Sequence, residues 1–375
     1  MGKMRVGESL VFFIFLAWNN IPFRVDETFR ANPTAGLLLV FEAPFPEGRV
    51  TGVPGGRNLA VDFKDGYVQQ WSLGIQHQFF TDLMLDLNYV GSKGTNLDNI
   101  KWVNQGAVPG TPKAPYFRPF PNWGTFLTTF SHANSHYNAL QLFVQKRLSR
   151  GLLLMGSYTF SHSIDNSPGA VGGASEQFFP QDPRNLRAER AHSDYDQRHR
   201  AVFTGLYELP FGPGRKYLAN VSGVWGKLVG RWQLGGIWTL ASGTPWTPRV
   251  SGDRSLTGGL TDRPHRIRDG NLPKGERRRE RWFDTGAFVL PPAGEFGNSG
   301  RNVIIGPGFN NFDFSVIKKT EITETIWVEF RGEFFNLFNR TNFGGPNIVI
   351  GTPLFGVITS AFDPRIVQFG VKVFF

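Results

Sequence analysis

The chain has 375 residues, 40% of them hydrophobic, and a formal net charge of +10. That is enough for one large domain or two ordinary ones and excludes a disordered polyelectrolyte. No stretch reaches the roughly 20 consecutive apolar residues of a membrane helix, which excludes a helical membrane protein, and the lack of Cys removes thiol catalysis, disulfides and cysteine-type zinc centres.

The aromatic count is high, with 36 Phe, 10 Trp and 8 Tyr beside 45 Gly and 25 Pro. Aromatic, Gly-rich sequence with few helix-favouring runs points to β structure. Residues 1–66 form a poorly defined N-terminal segment. "MGKMR" followed by "LVFFIFLAW" (10–18) has the basic start and apolar core of a signal peptide, whereas Glu8 and the missing small-x-small site in "NNIPF" suit an interior strand region. "GLLLVFEA" (36–43) is a further strand candidate.

From residue 67 onward the pattern is a succession of alternating strands. In 68–80, Trp71, Leu73, Ile75 and Phe79 oppose Gln70, Ser72, Gln76 and Gln78; in 83–91, Leu85, Leu87 and Tyr89 oppose Asp86 and Asn88. Segments 138–148, 152–163, 199–209, 231–240, 311–319 and 326–335 follow the same rule. In 326–335, Val328, Phe330, Gly332 and Phe334 alternate with Glu329, Arg331 and Glu333, so the charged face must be wet. The last segment sets Val367, Phe369, Val371, Val373 and Phe375 against Gln368, Gly370 and Lys372.

The connections alternate short and long: 81–82, then 92–137, 149–151, 164–198, an intermediate 210–230, 241–310, 320–325 and 336–365. A soluble antiparallel sandwich also has one wet face, but loops beyond about 15 residues are uncommon there. Outer-membrane barrels place short turns at the periplasmic end and long loops outside. The parity then puts the C-terminus on the periplasmic side. About ten strands are expected, with another hairpin around "FDTGAFVL" possible within 241–310.

No constellation supports catalysis, a cofactor or a metal ion. His132 and His136 have helical spacing in surroundings that disfavour a helix. "DYDQRHR" (194–200) reads as a charged rim pairing among itself. The basic residues are scattered, without a recognition element for nucleic acid; they suit solvated loops, or loops such as 274–282 that meet lipopolysaccharide phosphates through Arg277 to Arg279. The chain closes on polar-x-Gly-x-x-apolar-x-aromatic, carried by Gln368, Gly370, Val373 and Phe375. This is similar to the terminal signal by which outer-membrane barrels meet their assembly machinery, a strand that pairs edge to edge before closing on its own first strand.

Longer stretches, among them "YNALQLFVQKRLSRGLLLMGSYTFSHSID", "DYDQRHRAVFTGLYELPFG" and "GPGFNNFDFSVIKKTEITETIWVEFRGEFFNLFNRTNFG", resemble the C-terminal barrel of TonB-dependent receptors of the Oar-like type, over roughly residues 67–375. The resemblance implies an antiparallel transmembrane β-barrel in the outer membrane, contacting lipid and lipopolysaccharide. It also implies uptake driven by TonB–ExbB–ExbD through a plug, no enzymatic activity, and no nucleic-acid partner. No plug, TonB box or carboxypeptidase-regulatory-like domain is found in this sequence, so the expectation is the C-terminal part of a longer receptor. Gln70, Gln76, Gln78, Glu329, Arg331 and Glu333 are the expected lumen-facing residues, and Trp71, Tyr89, Tyr158, Trp232, Trp238 and Trp327 the expected interface belt. The alternatives are a non-transporting barrel acting as an adhesin or structural protein, and a secreted glycan-binding sandwich.

Overall fold

A computed structural model describes residues 56–106, 119–120, 126–167, 179–259 and 261–375. The signal-like stretch 10–18 and the strand candidate 36–43 lie outside them.

Nine antiparallel strands run consecutively: β1 (Tyr67–Phe80), β2 (Leu83–Trp102), β3 (Phe126–Ser149), β4 (Leu152–Asp165), β5 (His199–Glu208), β6 (Trp232–Ala241), β7 (Phe309–Glu321), β8 (Trp327–Phe335) and β9 (Ile366–Phe374). Each pairs with its neighbours in this series, giving an up-and-down meander from β1 to β9. Short strands at Gly56–Leu59 and Ala191–His192 join it against β3 and β4.

The register carries the alternation of each strand across the whole sheet. Gln76 faces Asp86, Leu142 faces Leu87 and Tyr158, and Glu329 faces Lys319 and Lys372. One face therefore holds Gln70, Gln76, Asp86, Gln141, Thr159, Ser315, Glu329, Arg331 and Glu333. The other holds Leu73, Leu87, Leu142, Leu154, Phe203, Leu234, Phe314, Phe330 and Phe369. This second face stays open among the described residues, with Leu73 74% and Phe369 65% exposed. Soluble monomers rarely leave an apolar patch of more than a few hundred Å², and nine strands at about 4.8 Å spacing make one far larger. Hydrocarbon is the environment that fits it.

Several of the aromatic residues expected at the interface stand on this face. Tyr89 donates to Asn138 (2.7 Å), Trp238 to Asn310 (2.9 Å), and Tyr158 meets His199 (2.8 Å), all towards the long-loop end. Trp232 sits at the opposite end. Trp327 departs from expectation: it shares the polar face with Glu329 and packs on Phe374 at a 5.0 Å ring separation. Rings also shelter lipid-face glycines, as Phe203 does for Gly156 and Phe369 for Gly332, where an added Cβ would come within 3.2 and 3.3 Å of the ring.

The connections sort by end. Thr81–Asp82, Arg150–Gly151 and residues 322–326 are tight turns at one end. They are joined there by the 209–231 connection, which contains the short helix α1 (Gly223–Val229). Lys318 Nζ donates to the carbonyl oxygens of Lys227 (2.6 Å) and Gly230, tying the C-terminal end of α1 to β7. The four long connections share the other end. The expected hairpin around 283–290 is corrected: that stretch is a 3-10 turn, Thr285–Ala287, and a two-residue strand pairing His265–Arg266. The expected 92–137 loop is also corrected, because β2 and β3 continue well beyond the apolar band.

Leu142→Arg, at the centre of the apolar face, should lower stability in lipid vesicles by about 2–4 kcal/mol. Gln145→Arg, on the polar face of the same strand, should change it by no more than about 0.5 kcal/mol. Urea unfolding of the two variants against the parent measures the contrast, and equal effects would contradict the assignment of faces.

Candidate functional site

The predicted wet residues do share one face, but the structure does not gather them into one site. Gln70, Gln76 and Gln78 lie on the edge strand β1, whereas Glu329, Arg331 and Glu333 lie on β8, near the opposite edge. Glu329 accepts from Arg331 Nε and lies 3.6 Å from Lys319 Nζ, a charge ladder running across β7, β8 and β9. Of the terminal residues, Gln368 and Gly370 pair with Glu333 and Arg331 on the polar face. Val373 pairs with Val328 on the apolar face, and Phe375 follows the end of β9, 99% exposed.

The long connections build a cap at their end of the sheet. Its apolar core is small: Phe283, Ala287, Phe288 and Ile304, with Trp246, Trp282 and Phe355 packed around it. Beside it and a few singly buried apolar residues such as Val250 and Ile358, the cap carries many buried polar groups. Arg263 makes a two-point contact with Glu189, both bonds 2.8 Å. Gln181 accepts from the Arg263 amide (2.7 Å) and donates to the Gly297 carbonyl (3.0 Å). Gln105 donates to Gln181 O (3.0 Å) and Thr257 Oγ1 (2.7 Å), so three connections meet here. Arg301 donates to Asp165 and, at 3.3 Å, to Asp194, while Asn302 donates to Asp194 (2.6 Å) and to the His192 carbonyl (2.7 Å). Within residues 253–262, Asp253 accepts from the amides of Thr257 (2.9 Å) and Gly258 (2.6 Å), and Asp262 from that of Ser255 (2.6 Å).

The "DYDQRHR" residues do not pair mainly among themselves, because β5 begins at His199 and spreads them along the rim. Asp194 turns to Arg301 and Asn302, Asp196 to His162 and His192, His199 to Tyr158 and Arg198 to the Phe160 ring; only Arg200, which donates to Gln197, keeps a partner inside the segment. His132 and His136 stand on β3, where four extended residues separate them by about 13 Å.

Beneath the cap, Tyr137, Gln141, Thr159, Ser161, Asp196, Gln197 and Arg200 line a polar pocket of about 320 Å³. A second of about 310 Å³ adds Trp246, Phe309, Phe343 and Phe362 around Arg200. Hydroxyl, amide and guanidinium groups beside aromatic rings can hold a polar ligand by hydrogen bonds and stacking. In the basic 274–282 segment, Arg277 lies over the Trp282 ring, Arg279 pairs with Glu280 and Arg281 with Asp284.

Arg263→Met should loosen the cap by about 3–5 kcal/mol, since it leaves the Glu189 carboxylate buried without its partner. Combining it with Glu189→Gln should recover most of that loss, as read by hydrogen exchange over 179–190 and 261–305. Burial pushes the Asp262 carboxyl above its ordinary range, Asp253 adds to this, and the Ser255 hydrogen bonds pull against it. With the folded value above the unfolded one, its contribution to stability is largest below the unfolded pKa of about 3.9 and is lost as pH rises through the folded value. Asp262→Asn should flatten that slope in the exchange of residues 251–262.

Among solved structures, the chain is similar to the outer membrane transporter YddB from Escherichia coli at 9% identity and a TM-score of 0.47, covering 86% of this chain and 34% of that one. The siderophore receptor PiuA from Acinetobacter baumannii gives 10% and 0.40, covering 82% and 28%. The FrpB iron transporter from Neisseria meningitidis gives 10% and 0.43, covering 85% and 33%. The chain spans about a third of the length of these structures. No curated protein matches it. The family of outer membrane β-barrel domains matches residues 9–368. A two-faced strand meander whose oily side no described residue covers, matched over nearly its whole length, belongs to the outer membrane β-barrel domain family.

Proposed function

We propose that this chain forms the C-terminal wall of a TonB-dependent receptor barrel of the Oar-like type and takes part in energy-coupled uptake of a substrate across the outer membrane. The observation that carries the reading is the segregation of the four long connections, whose described parts fold into one cap with polar pockets, to a single end of a membrane wall. Such a cap selects a ligand from outside, and the polar face beneath offers it a wet path. In this reading Gln70, Gln76, Gln78, Glu329, Arg331 and Glu333 face the lumen, the tight turns and the C-terminus lie in the periplasm, and the 274–282 segment meets lipopolysaccharide phosphates. Coupling to TonB–ExbB–ExbD runs through a plug lodged against the polar face.

The edges of β1 and β9, unpaired among the described residues, support the same picture. An unpaired backbone group in hydrocarbon costs several kcal/mol, so in this reading further strands close the wall on both sides. The β9 edge is the surface on which Gln368, Gly370, Val373 and Phe375 would meet the assembly machinery.

The absence of Cys makes the test direct. Single-Cys variants at Glu333 and Ser315 should react with a membrane-impermeant maleimide in whole outer membranes, and those at Phe330 and Val371 should not. In intact cells Arg278→Cys should label and Thr323→Cys should label only after the outer membrane is opened. Reversal of either pattern overturns the orientation. Ligand accumulation that persists without the TonB system would overturn the uptake reading and leave a binding barrel in its place.

A further inference from the structure

The geometry points to a metal site that the uptake reading does not use: His162, His192 and Asp196 as ligands of a divalent transition-metal ion of the zinc class, clipping the 191–196 segment to β4. The three side chains come from two pieces of chain held in register. His162 stands near the long-loop end of β4. Ala191–His192 is a short antiparallel strand whose residue His192 pairs with Ile164. The turn after it returns Asp196 to the same place, where the Asp196 amide donates to Ser193 O (2.9 Å). The Ser163 amide donates to Asp196 Oδ1 (2.7 Å), leaving Oδ2 directed at the two rings. Asp196 Oδ2 lies 3.3 Å from His162 Nδ1 and 2.8 Å from His192 Nδ1. The donor atoms all fall within 4.8 Å of one another, and the rings converge at 53° with centroids 4.9 Å apart.

These spacings suit a metal ion. Bonds of about 2.0–2.1 Å at tetrahedral angles place ligand atoms about 3.3–3.4 Å apart, so the carboxylate–imidazole distances need change by only about 0.5 Å, while the imidazole–imidazole separation, within 4.8 Å, has to close by up to about 1.4 Å. The Ser163 amide orients the carboxylate from behind, as an outer hydrogen bond does at metal centres. Asp196 is buried, with 6% side-chain exposure, while both rings are partly open. That leaves an entry path and a fourth position for water or a ligand. Two imidazoles and one carboxylate favour zinc, nickel or copper over calcium or magnesium, which prefer oxygen alone.

Without a metal, the same three groups form a hydrogen-bonded pair of rings sharing one carboxylate. With it, the clip fixes the segment that also carries Asp194 and Tyr195 against the wall, so metal loading would set how firmly the cap closes over the polar pocket. This consequence holds whether or not the barrel transports anything.

The test uses the full chain, free of any affinity tag, folded in detergent micelles and stripped with a chelator. Calorimetric titration with zinc chloride should show one saturable site, and cobalt(II) should give the visible absorption of a four-coordinate centre. His162→Gln, His192→Gln and Asp196→Asn should each weaken zinc binding by roughly tenfold or more, while His136→Gln and His265→Gln leave it unchanged. Zinc should also slow amide exchange in 191–196. Absence of saturable binding by the parent chain, or binding that survives all three ligand substitutions, overturns the site. The parent titration decides the matter even if a variant fails to fold.

Discussion

A membrane wall must satisfy every backbone polar group from within, since hydrocarbon offers none. The meander from β1 to β9 meets this by the simplest connectivity, with each strand hydrogen-bonded to its neighbours in the chain. Period-two alternation then follows as a second condition, because one set of side chains must dissolve in lipid while the other meets water. Once the register aligns nine such strands, a single slip would turn polar residues such as Gln141 or Glu329 outward. The register is thus fixed by the solvent on each side as much as by the turns.

The two ends of the wall follow different rules. At the short-turn end a connection only has to reverse the chain, and Arg150, at a positive φ of 52°, with Gly151, at 82°, does so in two residues. The 209–231 connection is the exception, and Lys318 and Trp232 hold its helix against the sheet by bonds to the Lys227, Gly230 and Leu228 carbonyls. At the other end the strands rise clear of the apolar band, and β2 and β3 carry the wall upward with Asn, Ser, Thr and Lys on both faces. Residues there answer to water and to one another. That freedom is what allows the polar cap to be built.

The nine strands were legible in the sequence because lipid on one side and water on the other impose a strict alternation. Legibility stops where that constraint stops. Beyond Gly94 the register of β2 against β3 shifts twice, and Asn96 takes a positive φ of 54°. Alternation is lost there, and Asn99, Thr128 and Ser131 are buried although polar, so the upper hairpin read as loop. Trp327 was misplaced because aromatic identity says nothing about which face a residue takes; the parity it shares with Glu329 does. The cap was illegible for a further reason. Its key pairs, Glu189 with Arg263 and Asp165 with Arg301, join residues far apart in sequence with no periodic signature. The rim segment 194–200 was noticed for its charges, but its partners His162, His192 and Arg301 lie outside it.

The cap has little oil and no disulfides to hold it, since the chain contains no Cys. Among the described residues its main apolar cluster is four buried residues with a rim of aromatics, with Val250, Leu272, Ile348 and Ile358 buried singly around it. Buried ion pairs are poor sources of net stability, because desolvation offsets most of their attraction. They are strict about geometry, however: a guanidinium gripping Glu189 at two points accepts one orientation, and Gln181 then has one place to bond both Arg263 and Gly297. An oily core would hold the loops more tolerantly and leave the pocket around Arg200 without a defined shape. The polar network therefore gives the cap one defined arrangement while it rests on a wall whose own stability comes from the strands in lipid.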